Sequence, residues 1–176
     1  KTLGIGPFAD ITNKEYQETY LGTSNPEKLS AFKFEGVKSA DFFKTEKVEE
    51  FSESINWSTY YPKVLNQNPC GSCYAFAATG VVEVFAVLKG KEFRFLSNQQ
   101  IIDCNKKTHG CNGGWPTHVY KYIEEIGVAE ESDYPYSGSD ASKCKLRDCT
   151  FNYKPYLFLK GFHYCSKHEF ENSPCE

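Results

Sequence analysis

Residues 71–88, "GSCYAFAATGVVEVFAVL", are apolar or small at nearly every position, with Glu83 the one charge. The run is too long for a strand and predicts a buried helix of four to five turns, ended by Gly90. "LSNQQIIDC" offers Ser97 and Gln100 as a capping box for a second, short helix. "PTHVYKYIEEIG" places Pro116 at a first helical position and Gly127 past the end of a third. Upstream, "DITNKEYQETYLG" predicts a helix opened by Thr12 and Glu15 and stopped by Gly22. "KPYLFLKGFHY" reads as a strand broken by Gly161, and "ESDYPYSGSDASKC" reads as loop. Residues 23–54 carry many charges and weak periodicity. Composition favours a linker or flexible tail there, with an extended segment lying along another surface as the alternative.

Composition sharpens this picture in a few places. The 176 residues suffice for one domain with a sizeable core, and aromatics reach 16%. A net charge of −3 gives no reason to expect nucleic acid or an acidic membrane surface as partner, and no apolar run is long enough to span a bilayer. The absence of Met marks the sequence as an expected part of a longer translation product. Eight cysteines, at 70, 73, 104, 111, 144, 149, 165 and 175, point to a disulfide framework and an oxidising compartment. Buried thiols or metal ligands in a reducing compartment are the competing explanation.

Chemistry concentrates at Cys70 and Cys73. Cys73 falls in the first turn of the predicted helix, where free N–H groups and the positive end of the macrodipole favour a thiolate. Gln67 is near enough in sequence to supply an amide donor, beside the Cys73 N–H, for an oxyanion formed on an attacked carbonyl. Other uses of the spacing stand beside this one. A redox couple wants an apolar strand before the motif, and "YYPKVLNQNP" is a poor strand. A zinc site wants a second close pair, whereas Cys104 and Cys111 have only His109 near them. A purely structural disulfide is the third. Spacing alone leaves all of them open.

"CGSCYAFA" with Gln67 upstream resembles the active-site segment of papain-like cysteine proteases, the cathepsin L and cathepsin B relatives. "LSNQQIIDC", "GCNGGWP", "YIEEIGVAEESDYPY" and "KPYLFLKGF" resemble the family in the same order. "INWSTYYP" is similar to the start of a mature enzyme, and "GIGPFADITNKEYQETYLG" to the end of an inhibitory propeptide, with Gly6 where Asn is usual. The resemblance implies an α+β, two-lobed papain-like fold, represented mainly by its helical lobe. Residues 1–52 would be the C-terminal part of the propeptide, and residues 53–176 the N-terminal part of the catalytic domain. It implies Cys73 as nucleophile and Gln67 as oxyanion donor. It implies disulfides Cys70–Cys111 and Cys104–Cys144. Gly113 and Gly114 would lie under the substrate backbone, and Trp115 and Pro116 would wall a substrate pocket. Tyr74 stands where Trp is usual. The partners implied are a peptide or protein substrate and the chain's own propeptide in the cleft. No metal or organic cofactor is implied, and the location would be lysosomal, vacuolar or extracellular.

The family's catalytic His, held by an Asn, follows the Cys by roughly 130–150 residues. Here 103 residues follow Cys73. His109, His118, His163 and His168 occur in no matching context, and no "NSWG"-like segment is present. These 176 residues alone are therefore expected not to hydrolyse peptides. A lobe without its neighbour would expose an apolar face, which another chain or the rest of a longer polypeptide would cover. A catalytically inactive homologue serving as a structural subunit is the alternative function.

Overall fold

The computed structural model describes residues 4–21, 54, 56–61, 63–140, 143–147 and 155–160. Four α-helices lie in these residues: α1 (Asn13–Tyr20), α2 (Cys73–Leu88), α3 (Asn98–Cys104) and α4 (Pro116–Glu125). Helix α1 opens on the Thr12–Glu15 capping box, with both reciprocal bonds formed. Its predicted stop, Gly22, lies outside the described residues, as does most of 23–54. Helix α4 begins at Pro116, whose missing N–H costs nothing there, and ends before Gly127 at φ 81°.

Helix α2 is the axis of the core and packs against α3 and α4. Tyr74, Ala75, Ala78, Val82 and Ala86 form one buried stripe along it. They meet Leu96, Ile101, Val119, Tyr122, Ile123, Val128 and Leu157. The alanines leave room for neighbouring elements to come close. The other face of α2 is also apolar, as the sequence run requires, but it is open among the described residues. Val81, Phe85 and Leu88 are about half exposed there. With Trp57, Gly80 and Val84 they line an apolar groove of about 360 Å³. A helix apolar all round is a buried helix, so this face needs a protein cover.

Strand structure is sparse among the described residues. Leu96 bridges Glu130 and Val128 bridges Leu157, both antiparallel and isolated. Residues 155–160 thus contain one bridged position rather than the predicted strand, and Gly161 lies outside the described residues. Pro155 has no N–H to extend a ladder, and among the described residues pairing is confined to Val128 with Tyr156 and Leu157.

Ser97 caps α3 as predicted, accepting from the Gln100 N–H at 3.0 Å. The Gln100 side chain does not return the bond. It is fully buried, donating to Tyr122 Oη and the Gly127 carbonyl and accepting from the Ala129 N–H. Asn98 accepts from Thr79 Oγ1, and Gln99 links Asp103, Ser137 and Ser139. The polar triplet 98–100 is therefore an internal frame holding α3 against α2 and the loop at 127–139.

Glu83 is 2% exposed on the buried side of α2. Its Oε1 accepts from the Leu96 N–H at 2.7 Å, while Oε2 has no hydrogen-bond partner. Desolvation pushes its pKa up to about 7; the Leu96 N–H and the nearby Tyr61 hydroxyl oppose this, and the Glu131 charge adds to it. An unfolded Glu titrates near 4.5. Between about 4.5 and about 7 the folded form holds a proton that the unfolded form has released, so this contribution to stability falls as pH rises through that window. Glu83→Gln is accordingly expected to leave stability unchanged at pH 4 and to raise it at pH 8. The gain at pH 8 should be on the order of 3 kcal/mol, read by denaturant unfolding at the two pH values.

Candidate active site

The site forms where the loop 63–72 delivers the chain into α2. Cys73 is the first residue of α2 and is half-buried; it is the only free cysteine among the described residues. Cys70, three residues earlier, is disulfide-bonded to Cys111 with a Cα–Cα separation of 4.6 Å. Cys104 is bonded to Cys144. Cys149, Cys165 and Cys175 lie outside the described residues. Cys70 and Cys73 are therefore not a redox couple. One is a staple, and the other carries a free thiol at a helix start.

The staple sets the floor of the site. The Gly71 N–H donates to the Cys111 carbonyl at 2.9 Å, and the Cys111 N–H donates to Asp140 Oδ2 at 3.1 Å. Tyr74 donates through its hydroxyl to the Gly110 carbonyl at 3.0 Å, and burial pushes its pKa up to about 12. So the helix residue next to Cys73 is tied to the same short turn, Gly110–Asn112, that the disulfide holds. Gly113 follows at φ 110°, a conformation few side chains tolerate. A Cβ on Gly114 would come within 2.9 Å of Thr108 and Tyr74 side-chain atoms, so packing alone demands glycine there. Trp115 is the N-cap of α4 and Pro116 its first residue, both half-buried.

Gln67 is held from two sides. Its side-chain Nε2 donates to the Cys70 carbonyl at 2.9 Å and to the Tyr20 carbonyl at 3.0 Å. The first bond fixes the amide against the loop that leads to Cys73. The second brings in α1, whose last residue is Tyr20. The final carbonyls of a helix lack intrahelical partners and carry partial negative charge. Tyr16 and Tyr20 stack, and Phe8 packs edge-on or tilted against both, with centroids 4.9–5.3 Å apart, and so the three hold this helix end in place. Tyr20 was not legible as a site residue, because its contribution is a main-chain oxygen.

His109 and His118 are the described histidines. His109 sits beside the stapled turn, and its backbone N–H donates to the Gly113 carbonyl. His118 is on α4. Burial, the Lys107 charge and the His109 charge lower its pKa, and the Lys107 backbone opposes them. Cys73 is not among the groups acting on it. His163 and His168 lie outside the described residues. Among the described residues no cluster of three or more His, Cys, Asp or Glu is arranged to hold a metal ion. No described helix is long and apolar enough to cross a membrane.

The model of the papain family of cysteine proteases matches residues 51–172. The chain belongs to that family. It is similar to "Cathepsin L 2" of Paramecium tetraurelia, 35% identical over 169 residues, 92% of this chain and 48% of that protein. "Cysteine proteinase 2" of Dictyostelium discoideum is 36% identical over 147 residues, 81% of this chain and 38% of that protein. Among solved structures, the proform of the ragweed pollen cysteine protease Amb a 11 superposes with a TM-score of 0.70 at 30% identity, over 90% of this chain and 48% of that one. The recombinant stem bromelain precursor gives 0.70 at 34% identity, over 92% of this chain and 49% of that one. The chain thus spans about half the length of these relatives, or less. The helix-rich described residues are consistent with the helical lobe of this papain-like fold.

Proposed function

We propose that this chain is part of a papain-like cysteine endopeptidase zymogen, with residues 1–52 as the end of the inhibitory propeptide. The observation that carries the reading is the Gln67 side-chain amide, which donates to the Tyr20 carbonyl while Cys70 pins it. In an acyl-transfer enzyme that amide would face the developing oxyanion. A carbonyl at the negative end of a short helix is a suitable stand-in for that oxygen, and its presence supports a blocked rather than an open site.

In the mechanism, the Cys73 thiolate adds to a substrate peptide carbonyl, forming a C–S bond and placing the charge on oxygen. Gln67 Nε2 and the Cys73 N–H donate to that oxygen. Collapse expels the amine, which must leave protonated, and yields a thioester on Cys73. Water then releases the acid and restores the thiol. The proton-transferring imidazole is expected of a His–Asn pair that His109 and His118 do not match. Two disulfides agree with a lysosomal, vacuolar or extracellular location. The open apolar face of α2 also keeps a second reading in view, a structural subunit covered by another chain. The zymogen reading accounts for both that face and the Gln67 arrangement.

The test is turnover of a peptide amide by the protein expressed from its complete gene, before and after cleavage near residue 52. Freeing Gln67 is expected to raise turnover by about 100-fold or more. Full turnover with residues 1–52 still attached would contradict the inhibitory role.

A further inference from the structure

One hydroxyl reaches both halves of the proposed oxyanion hole. Tyr136 Oη donates to the main-chain carbonyl of Gln67 at 2.5 Å and lies 2.9 Å from Ser72 Oγ. Gln67 carries the side-chain donor, and Ser72 is joined by its peptide bond to the Cys73 N–H, the main-chain donor. With the Tyr136 proton directed at the Gln67 carbonyl, the short Ser72 contact is one in which the serine donates, in preference to its longer 3.5 Å approach to the Cys70 carbonyl. Burial raises the Tyr136 pKa; the Ser72 hydroxyl opposes this and the Glu131 charge adds to it, and with the net direction upward the phenol stays protonated. The ring is held by an edge contact with Phe76 at 5.0 Å and by the Tyr136 N–H, which donates to Glu131 Oε1 at 2.7 Å.

The bond to Ser72 has a second consequence. Serine at an N-cap ordinarily turns its oxygen onto the N–H groups of the first helical turn. Ser72 is the N-cap of α2 and makes no such bond. Its hydroxyl is engaged by Tyr136 instead. The first-turn N–H groups beside Cys73 are left without the side-chain acceptor that would compete for them.

We propose that Tyr136 is a positioning residue for the oxyanion hole, setting the Gln67 loop against the start of α2 and drawing the Ser72 hydroxyl away from the helix N-terminus. This rests on the protease reading above. Tyr136 touches no reacting atom in it and acts through Gln67 and Ser72. Tyr136 lies 64 residues after Ser72, too far along the chain for a local motif to link the two.

The experiment uses the protein expressed from its complete gene and freed of its N-terminal segment. Tyr136→Phe keeps the ring and removes the hydroxyl. It is expected to lower kcat on a peptide amide by about tenfold or more, with KM unchanged within about twofold. It should weaken a peptide aldehyde, whose adduct places an oxyanion in the hole, by a similar factor. The rate of Cys73 alkylation by iodoacetamide, a displacement that forms no oxyanion, should stay the same. Adding Ser72→Ala to Tyr136→Phe should recover part of the aldehyde affinity, since the freed serine can no longer cap the helix. An unchanged kcat and aldehyde affinity in Tyr136→Phe would overturn the proposal. So would aldehyde binding and alkylation falling together, since that marks a general disturbance of the site. If Tyr136→Phe does not fold, Ser72→Ala alone decides. Ser72→Ala removes the hydroxyl that ties Tyr136 to the start of α2, so a lower aldehyde affinity with unchanged alkylation supports the proposal, and an unchanged aldehyde affinity overturns it. No aldehyde binding or turnover by the unsubstituted protein overturns the protease reading and this inference together, whereas a normal native enzyme with an indifferent Tyr136 overturns this inference alone.

Discussion

Cys73→Ala is expected to reduce peptide hydrolysis by the protein expressed from its complete gene on the order of 10⁵- to 10⁶-fold, leaving its fold and melting temperature nearly intact. The size of the loss follows from the role. No other free thiol exists among the described residues, and no neighbouring group can form the thioester in its place. The small effect on stability follows from position. Cys73 is half-buried at the mouth of α2, outside the core stripe of Tyr74, Ala75, Ala78, Val82 and Ala86. Substituting a methyl group there removes one sulfur and creates no buried cavity. Turnover and thermal unfolding on the same preparation check both halves. A collapse in melting temperature would reassign Cys73 to packing.

The second large effect concerns the staples. Replacing Cys70 and Cys111 together by alanine is expected to cost about 4 kcal/mol, from the closure entropy of a loop of this length. Replacing Cys104 and Cys144 should cost about the same, because the separations, 41 and 40 residues, are nearly equal. Function should separate the two. Cys70–Cys111 ties the turn Gly110–Asn112 to the loop that presents Gln67, and the Cys70 carbonyl accepts from Gln67 Nε2. The first double substitution should therefore lower kcat as well as stability. Cys104 lies at the end of α3, and its bond holds the segment around residue 144, so the second should lower stability alone. Denaturant midpoints and kcat measured on both variants decide. Equal effects on kcat would mean that the Cys70–Cys111 staple has no specific part in the site.

What could be read from the chain was set by how local each feature is. Helix α2 is a long apolar run with a glycine stop, α4 opens on proline, and α1 has both members of a capping box; each is written in neighbouring residues. The misreadings involve partners far apart. Gln100 looks like the far half of a cap, but its side chain finds Tyr122, Gly127 and Ala129, so a locally sensible bond loses to a buried tertiary one. Residues 155–160 have strand composition, yet a strand needs a partner along its length, and among the described residues pairing stops after Leu157. Within the proposed site, Cys73 and Gln67 were legible because the reading assigns their roles to side chains that are close in sequence. Tyr20 contributes a backbone oxygen and Tyr136 a hydroxyl from a distant loop, so neither leaves a mark in a linear motif. At Gly114 the Tyr74 and Thr108 side chains crowd the place of a Cβ, a packing constraint that adds to the substrate approach expected there.

The central claim is that Cys73 forms a covalent acyl intermediate in an enzyme whose oxyanion donor is masked by its own N-terminal segment. It is tested most directly by acid-quenched mass spectrometry of the protein expressed from its complete gene, mixed with an activated peptide ester before and after cleavage near residue 52. The account predicts a peptidyl adduct on Cys73 that accumulates rapidly after cleavage, is scarce before it, and is absent in Cys73→Ala. Ester turnover with no adduct on Cys73, or an adduct that forms equally with residues 1–52 attached, would contradict it.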